Sequence, residues 1–276
     1  MDLYAVFGNP IGHSKSPFIH SEFAKQTGEA LEYTAVQAPL DSFAAEVEVF
    51  FNGGGKGINV TVPFKEQAWQ WVQQRAERAE LAGAVNTIYR DSSGIYVGDN
   101  TDGKGLVTDL QVNNKVQLAN KNILVLGAGG AVKGVLKPLL DCAPKQIVIA
   151  NRTVSKAEGL QRKFAEFGSV RACSFADAAE HLGQGEAFDV IINGTSASLA
   201  GDVPPISGAL INADTVVYDM MYSADLTAFN AWAKKQGALQ LIDGLGMLVE
   251  QAAESFYLWR GVRPDTAAVM ASLRAL

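Results

Sequence analysis

The run Asn122-Ile123-Leu124-Val125-Leu126-Gly127-Ala128-Gly129-Gly130-Ala131 constrains the fold more tightly than any other feature of the chain. A short apolar strand from Ile123 to Leu126 leads directly into a glycine-rich turn, and the residues from about Gly130 to Leu140 read as a helix. This order is the opening unit of a dinucleotide-binding α/β fold. The first glycine permits the tight turn, and the second lets backbone approach a pyrophosphate. The helix N-terminus then offers free N–H groups and a partial positive charge to the anion. The loop departs from the full G-x-G-x-x-G pattern, because Val132 stands where the third glycine would be. Gly130 and Ala131 are expected to supply the close helix–strand packing instead.

The next strand sharpens the expectation. It ends Ala150-Asn151-Arg152-Thr153, with Lys156 one turn later. A unit built for NAD carries Asp or Glu here to accept hydrogen bonds from the ribose 2′-OH. No acid is present. Arg152 and Lys156 suit a 2′-phosphate, with Asn151 and Thr153 as neutral partners, so NADP is the expected cofactor. A basic helix start with no anion nearby is the plain alternative, and the helix dipole disfavours it.

The chain has 276 residues, and domains usually run about 100–200, so one large or two moderate domains are expected. The net charge of -6 argues against nucleic acid, whose affinity depends on cations neutralising phosphates. No stretch approaches the ~20 apolar residues of a membrane span. The start Met1-Asp2-Leu3-Tyr4 lacks a basic n-region and reads as passing straight into a strand. Cys142 and Cys173 share no metal-ligand or redox spacing and read as packed thiols, so a cytoplasmic protein without a metal is expected.

Strand and helix alternate along the chain. Before the glycine loop, strands are expected at 3–7, 31–38 and 57–62, and a hairpin at 85–90 and 95–97 around Asp91-Ser92-Ser93-Gly94. Helices are expected from Ser16-Pro17 to Gly28, with Ser16 as N-cap, and over 41–51, 65–74 and 76–81. After the loop come short apolar strands at 147–150, 170–174, 190–193, 215–218 and 239–242, of the kind buried on both faces of a parallel sheet. Helix follows from Gly244 on. The fold class is α/β with two domains joined without a flexible linker.

Polar clusters interrupt the first part at turns and strand ends. Ser14 and Ser16 offer two hydroxyls at a helix start, a natural carboxylate site. Asn59 and Thr61 alternate with Val60 and Val62, so they face one side and need hydrogen-bond partners there. Lys65 starts a helix, where the dipole disfavours a cation. Asn86 breaks an apolar segment. Gly98-Asp99-Asn100-Thr101-Asp102-Gly103 is a polar turn. Each taken alone could be a cap or a solvated turn.

Together these segments resemble the shikimate dehydrogenases. The resemblance rests on Gly8-Asn9-Pro10-Ile11-Gly12-His13-Ser14-Lys15-Ser16-Pro17, Asn59-Val60-Thr61-Val62-Pro63-Phe64-Lys65, Gly83-Ala84-Val85-Asn86-Thr87 and the turn at Asp102. It continues through the glycine loop, Asn151-Arg152-Thr153, Asn193-Gly194-Thr195-Ser196, Asp219-Met220-Met221-Tyr222 and the segment from Asp243 to Gln251, nearly the whole chain in order. The resemblance implies a substrate domain with a mixed sheet, 1–102 plus 243–276. It implies a Rossmann-like NADP domain with a doubly wound parallel sheet, 103–242. The implied reaction is reversible reduction of 3-dehydroshikimate to shikimate by NADPH. Ser14 and Ser16 would hold the substrate carboxylate, with Tyr222 near it. Asn59, Thr61, Asn86 and Gln251 would bind its hydroxyls and position the ring. Lys65 and Asp102 would be the catalytic pair and touch substrate. Glu77, Gly127, Ala128, Gly129, Gly130, Ala131, Asn151, Arg152, Thr153, Lys156, Thr195, Met220, Gly244 and Met247 would line the cofactor side. A monomer acting on small molecules is expected, with a dimer as the alternative. The rival readings are a broader quinate/shikimate dehydrogenase and a non-catalytic NADPH-binding regulator.

Overall fold

The computed structural model describes residues 1–183 and 185–275, with the side chain of residue 199 left aside. The chain divides into two compact units, Met1–Gly105 with Leu248–Leu276, and Leu106–Met247. The sequence reading puts the breaks at 102/103 and 242/243. Both structural breaks fall slightly later, each inside a helix that runs on past the polar turn preceding it.

The first unit opens with β1 (Asp2–Gly8), α1 (Ser16–Thr27), β2 (Leu31–Gln37), α2 (Phe43–Asn52) and β3 (Gly55–Val60). It continues with α3 (Lys65–Trp71), β4 (Gln74–Arg75), α4 (Glu77–Ala82), β5 (Thr87–Arg90), β6 (Tyr96–Asp99) and α5 (Asp102–Thr108). Its sheet is ordered β2-β1-β3-β5-β6-β4 and is mixed. β1 pairs in parallel with β2 and β3, whereas β5 is antiparallel to β3 and β6. The hairpin turn closes as expected, with Asp91 Oδ1 accepting from the backbone N–H of Ser93 and Ile95. The helix expected over 65–74 stops at Trp71. The chain beyond it is extended and pairs in parallel with β6, forming the short edge strand β4.

Helix α2 shows why the core forms where it does. Phe43, Val47 and Phe51 recur at a four-residue spacing and are its buried residues. They join Phe7, Ile58, Val60 and Phe64 in one cluster, and Phe43 stacks on Phe64 at 4.9 Å. Each such side chain contributes about 1.5–3 kcal/mol by leaving water.

The second unit holds β7 (Asn122–Leu126), α6 (Gly130–Leu140), β8 (Gln146–Ala150), α7 (Val154–Phe164), β9 (Val170–Cys173), β10 (Val190–Asn193), β11 (Val216–Asp219), α8 (Ala228–Lys235) and β12 (Gln240–Asp243). Its sheet is wholly parallel, in the order β12-β11-β10-β7-β8-β9. That is the doubly wound Rossmann order, with the reversal between β7 and β10. Every residue of β7, β10 and β11 is buried, as the continuous apolar runs require.

Two helices end the chain, α9 (Leu245–Arg260) and α10 (Thr266–Arg274). From Leu248 on they belong to the first unit. Arg260 pairs with Asp2 and Glu29, and Asp265 N–H donates to Gln26 Oε1. Trp259 stacks on Tyr4 at 4.8 Å and lies flat over Gly57, where a Cβ would come within 2.6 Å of the indole nitrogen. Among the described residues no helix is long and apolar enough to cross a membrane.

Gly57→Ala is therefore expected to push Trp259 off β3 and destabilise the protein by about 1–3 kcal/mol, the usual cost of overpacking. Urea unfolding followed by indole fluorescence measures this. An unchanged midpoint and emission maximum would show that the contact is not tight.

Candidate active site

Lys65 is the first residue of α3 and Asp102 the first of α5. Lys65 Nζ donates to Asp102 Oδ2 at 2.6 Å. The ammonium sits at the unfavourable end of its helix, and the carboxylate at the favourable end of its own. Pairing offsets the first cost. The pair is partly shielded, with the Lys65 side chain 23% exposed and Asp102 9%. Asp102 takes one of the three N–H bonds of Lys65 and leaves two for a ligand.

The other oxygen of Asp102 is held by Asn86. Asn86 Nδ2 donates to Asp102 Oδ1 at 2.8 Å, and Thr101 N–H donates to Asn86 Oδ1 at 2.9 Å. The backbone N–H can only donate and the carboxylate can only accept, so the orientation of the Asn86 amide is settled by its neighbours. Gln251, on α9, presents Oε1 to the same Nδ2 at 3.3 Å. Asn86, Asp102 and Gln251 therefore meet in one place with Lys65, as the sequence groups them.

Asn59 lies deeper. Its Nδ2 faces the Asn86 carbonyl, Thr87 Oγ1 and Ser255 Oγ at 3.0–3.2 Å, and its Oδ1 accepts from Tyr33 at 2.7 Å. It is 6% exposed, and its donors are directed at protein acceptors. This geometry ties Asn59 to Asn86 through the Asn86 carbonyl. Thr61, in the turn after β3, stays partly exposed.

Ser16 is inside α1 and does not cap it, contrary to the expectation. Lys15 holds the cap position, and Ser14 Oγ accepts from the Ser16 N–H at 3.3 Å. Pro17 carries no N–H and so leaves no unmet donor at its position in the first turn. Ser16 is buried and Ser14 partly so.

In the second unit, Gly127 has φ +105°, which L side chains avoid. A Cβ on Gly129 or Gly130 would meet nothing within 4 Å, so space stands open over the start of α6. No side chain caps that helix. The residues fit a pyrophosphate held by backbone N–H groups. The close packing expected of Gly130 and Ala131 comes from elsewhere. Gly194, just after β10, faces Val132, where a Cβ would lie 2.5 Å from the valine methyl. The third glycine has thus moved from the helix to the neighbouring strand end.

Arg152 and Lys156 are exposed at the start of α7, whose first turn holds no acid. Asn151 Nδ2 donates to the Thr153 carbonyl at 2.8 Å and shapes the bend between them. Thr195 donates from N and Oγ1 to Asn193 Oδ1 at 3.1 and 2.7 Å. Met220 follows β11, and its N–H donates to the Asn193 carbonyl at 2.9 Å. Gly244 leaves room for the Met220 carbonyl, 2.1 Å from where its Cβ would be. Met247 is buried early in α9. Two residues belong to the other unit from the rest of their groups. Glu77 is an exposed residue of α4 in the first unit, while the rest of the cofactor set is in the second. Tyr222 is 40% exposed in the second unit, while Ser14 and Ser16 are in the first.

Several residues of the polar network escaped the sequence reading: Tyr33, Thr87, Thr101 as a side chain, Ser255, and Arg78. Arg78 grips Asp99 through two bonds of 2.6 and 2.8 Å. Asp99 Oδ1 accepts Asn100 N–H, and Asn100 Oδ1 accepts Asp102 N–H at 3.2 Å. The signal available was a lone Arg on a short helix and hydroxyls inside apolar segments, which point to no partner until the fold is known.

Residues 6–88 match the family described as shikimate dehydrogenase substrate binding domain. Residues 110–200 match shikimate / quinate 5-dehydrogenase, and 244–274 match the shikimate 5'-dehydrogenase C-terminal domain. The chain is 65% identical over 274 residues, 99% of each chain, to the shikimate dehydrogenase (NADP(+)) of Hahella chejuensis. It is 60% identical over 276 residues to that of Marinobacter nauticus, covering 99% of this chain and 98% of that one. Among solved structures, an Ael1 enzyme from Pseudomonas putida is 44% identical with a TM-score of 0.93, covering 99% of this chain and 98% of that one. The shikimate 5-dehydrogenase of Thermus thermophilus, in complex with NADP(H) and shikimate, is 29% identical with a TM-score of 0.86, covering 100% of both chains.

Asn86→Asp tests the network. It replaces a donor facing Asp102 with a second carboxylate oxygen, and two such groups cannot both ionise cheaply. The new pair's raised pKa means that protonation restores the bond at low pH. Relative to wild type, the variant should lose little thermal stability near pH 5 and progressively more toward pH 8, by calorimetry. A deficit independent of pH would exclude the contact with Asp102.

Proposed function

This chain belongs to the NADP-dependent shikimate dehydrogenases, and we propose that Lys65 and Asp102 carry its proton chemistry. It reversibly reduces 3-dehydroshikimate to shikimate with NADPH, a step of the route to aromatic amino acids. NADPH supplies the hydride to the carbonyl carbon. The oxygen left behind gathers negative charge and needs a cation and a proton. Lys65 supplies both, and the resulting amine recovers its proton from water. Asp102 holds the ammonium through one oxygen and is itself held by Asn86 through the other. The observation that carries this reading is that double tether, with Lys65 at 2.6 Å and Asn86 at 2.8 Å.

In the same reading Ser14 and Ser16 take the substrate carboxylate, and Asn59, Thr61, Asn86 and Gln251 take its hydroxyls and position the ring. Gly127 to Ala131 cradle the pyrophosphate, and Asn151 to Lys156 meet the 2′-phosphate. Thr195, Met220, Gly244 and Met247 line the nicotinamide side, and Glu77 and Tyr222 complete the two sets. The protein works as a cytoplasmic monomer on small molecules. Cys142 and Cys173, read as packed thiols, suit a reducing compartment. A broader quinate/shikimate activity is the second reading, because the family matched over residues 110–200 carries both names. An assay of shikimate and quinate, each with NADP and NAD, separates the two, and no turnover in any of the four would end the enzyme reading.

Lys65→Ala is expected to lower kcat by about 10²–10⁴-fold with little change in KM for shikimate, while loss at Asp102 should affect both parameters. A Lys65→Ala enzyme turning over near the wild-type rate would remove Lys65 from the chemistry. Arg152→Ala should raise KM for NADP about 10- to 100-fold and leave KM for NAD unchanged, as loss of one charge-assisted contact predicts. Equal effects on both cofactors would place Arg152 outside the 2′-phosphate site.

A further inference from the structure

Tyr33 sits in the middle of β2 and is 6% exposed. Its phenol donates to Asn59 Oδ1 at 2.7 Å. The direction is settled, because Asn59 Nδ2 must face the backbone carbonyl of Asn86 at 3.1 Å, which only accepts. One phenol thus holds Asn59, and Asn59 in turn holds the backbone carbonyl of Asn86.

The ring itself is clamped. His20, wholly buried on α1, stacks on Tyr33 with centroids 4.2 Å apart and planes 6° from parallel. Neither His20 nitrogen has a hydrogen-bond partner among the described residues. Phe23, Phe256 and Trp259 surround the imidazole at 5.3–6.2 Å. Burial pushes its pKa down to about 3, so it stays neutral at any working pH. Here the histidine acts as a flat, uncharged plate.

We propose that Tyr33 is a positioning residue for the substrate, holding the Asn59–Asn86 pair in place through its bond to Asn59 Oδ1, with His20 holding its ring. This rests on the reading that Asn59 and Asn86 hold shikimate. Tyr33 touches no substrate and moves no proton in the reaction. Its removal should weaken the ground state and transition state alike, raising KM and sparing kcat.

The test uses the full chain with Tyr33→Phe, which keeps the ring. Shikimate dissociation constants come from titration calorimetry, and kinetic constants from turnover with NADP. Kd and KM for shikimate should both rise about 5- to 20-fold, with kcat within about 3-fold and KM for NADP unchanged, as expected for one buried bond lost. His20→Phe should behave as wild type, because it keeps the plate. His20→Ala should weaken shikimate in the manner of Tyr33→Phe, and it carries the test if Tyr33→Phe does not fold. Shikimate Kd within 2-fold of wild type in the folded variant overturns the proposal. So does equal weakening of shikimate and NADP, which would mark a general structural defect. Wild-type protein that neither binds nor oxidises shikimate would instead refute the functional reading beneath it.

Discussion

Asn86 is the residue on which the first unit's polar interior depends. A backbone donor lies on one side of its amide and a carboxylate on the other, so only one orientation satisfies both. Once that orientation is set, its neighbours follow. Asn86's own carbonyl orients Asn59, which orients Tyr33 as a donor. Thr87 donates to Asn86 Oδ1 and shares a bond of 2.8 Å with Ser255 on α9. The network thereby joins β3, β5, the turn after β6 and the C-terminal helix. Buried polar groups cost free energy unless partnered, so a network this well satisfied rigidifies its members, and a half-satisfied one would be worse than an apolar core.

The second unit solves a different problem. Its buried anchor is Asp219, at the end of β11, with no exposure. Burial raises its pKa, while hydrogen bonds from Ser198, Thr227, Met221 and Asn193 oppose the shift. Asn193 is oriented as Asn86 is, with a backbone N–H from Thr195 fixing Oδ1 and leaving Nδ2 for Asp219 at 3.1 Å. The turns after β10 and β11 are thus tied to one carboxylate. Those turns lie beside the strand-order reversal, where dinucleotides bind.

The sequence made much of this legible, for physical reasons. The apolar runs of β7, β8 and β10 needed no partner to be recognised, because continuous burial leaves a compositional mark. The glycine loop was legible because Gly127 answers a backbone demand that no other residue meets cheaply. The packing role of Gly194 was hidden, since it depends on which strand lies next to β7. The N-cap assignment of Ser16 failed because Ser14 reaches the same end from two residues upstream. The family resemblance singled out Lys65 and Asp102 as a pair and Asn86 and Gln251 among the substrate residues, yet it did not single out Tyr33 or His20. An isolated tyrosine in an alternating strand reads as ordinary core, and its meaning comes only from Asn59, 26 residues away.

The charges of the first unit are segregated in a way that keeps Lys65 available. Asp99 lies close in sequence to Asp102 and could have competed for the same ammonium. Arg78 engages it with a planar fork instead, a geometry that a lysine cannot offer. The same guanidinium reaches Glu254 at 3.1 Å, and Arg263 takes the second oxygen of Glu254 at 2.7 Å. Burial alone would raise the pKa of Glu254, but the two arginines outweigh it and hold the carboxyl below its ordinary value. That contribution to stability is present above the unfolded-state pKa and fades as pH falls through the folded one. Asp99 and Glu254 thus share Arg78, whereas Asp102 is paired with Lys65, and a lysine can give up a proton where an arginine cannot.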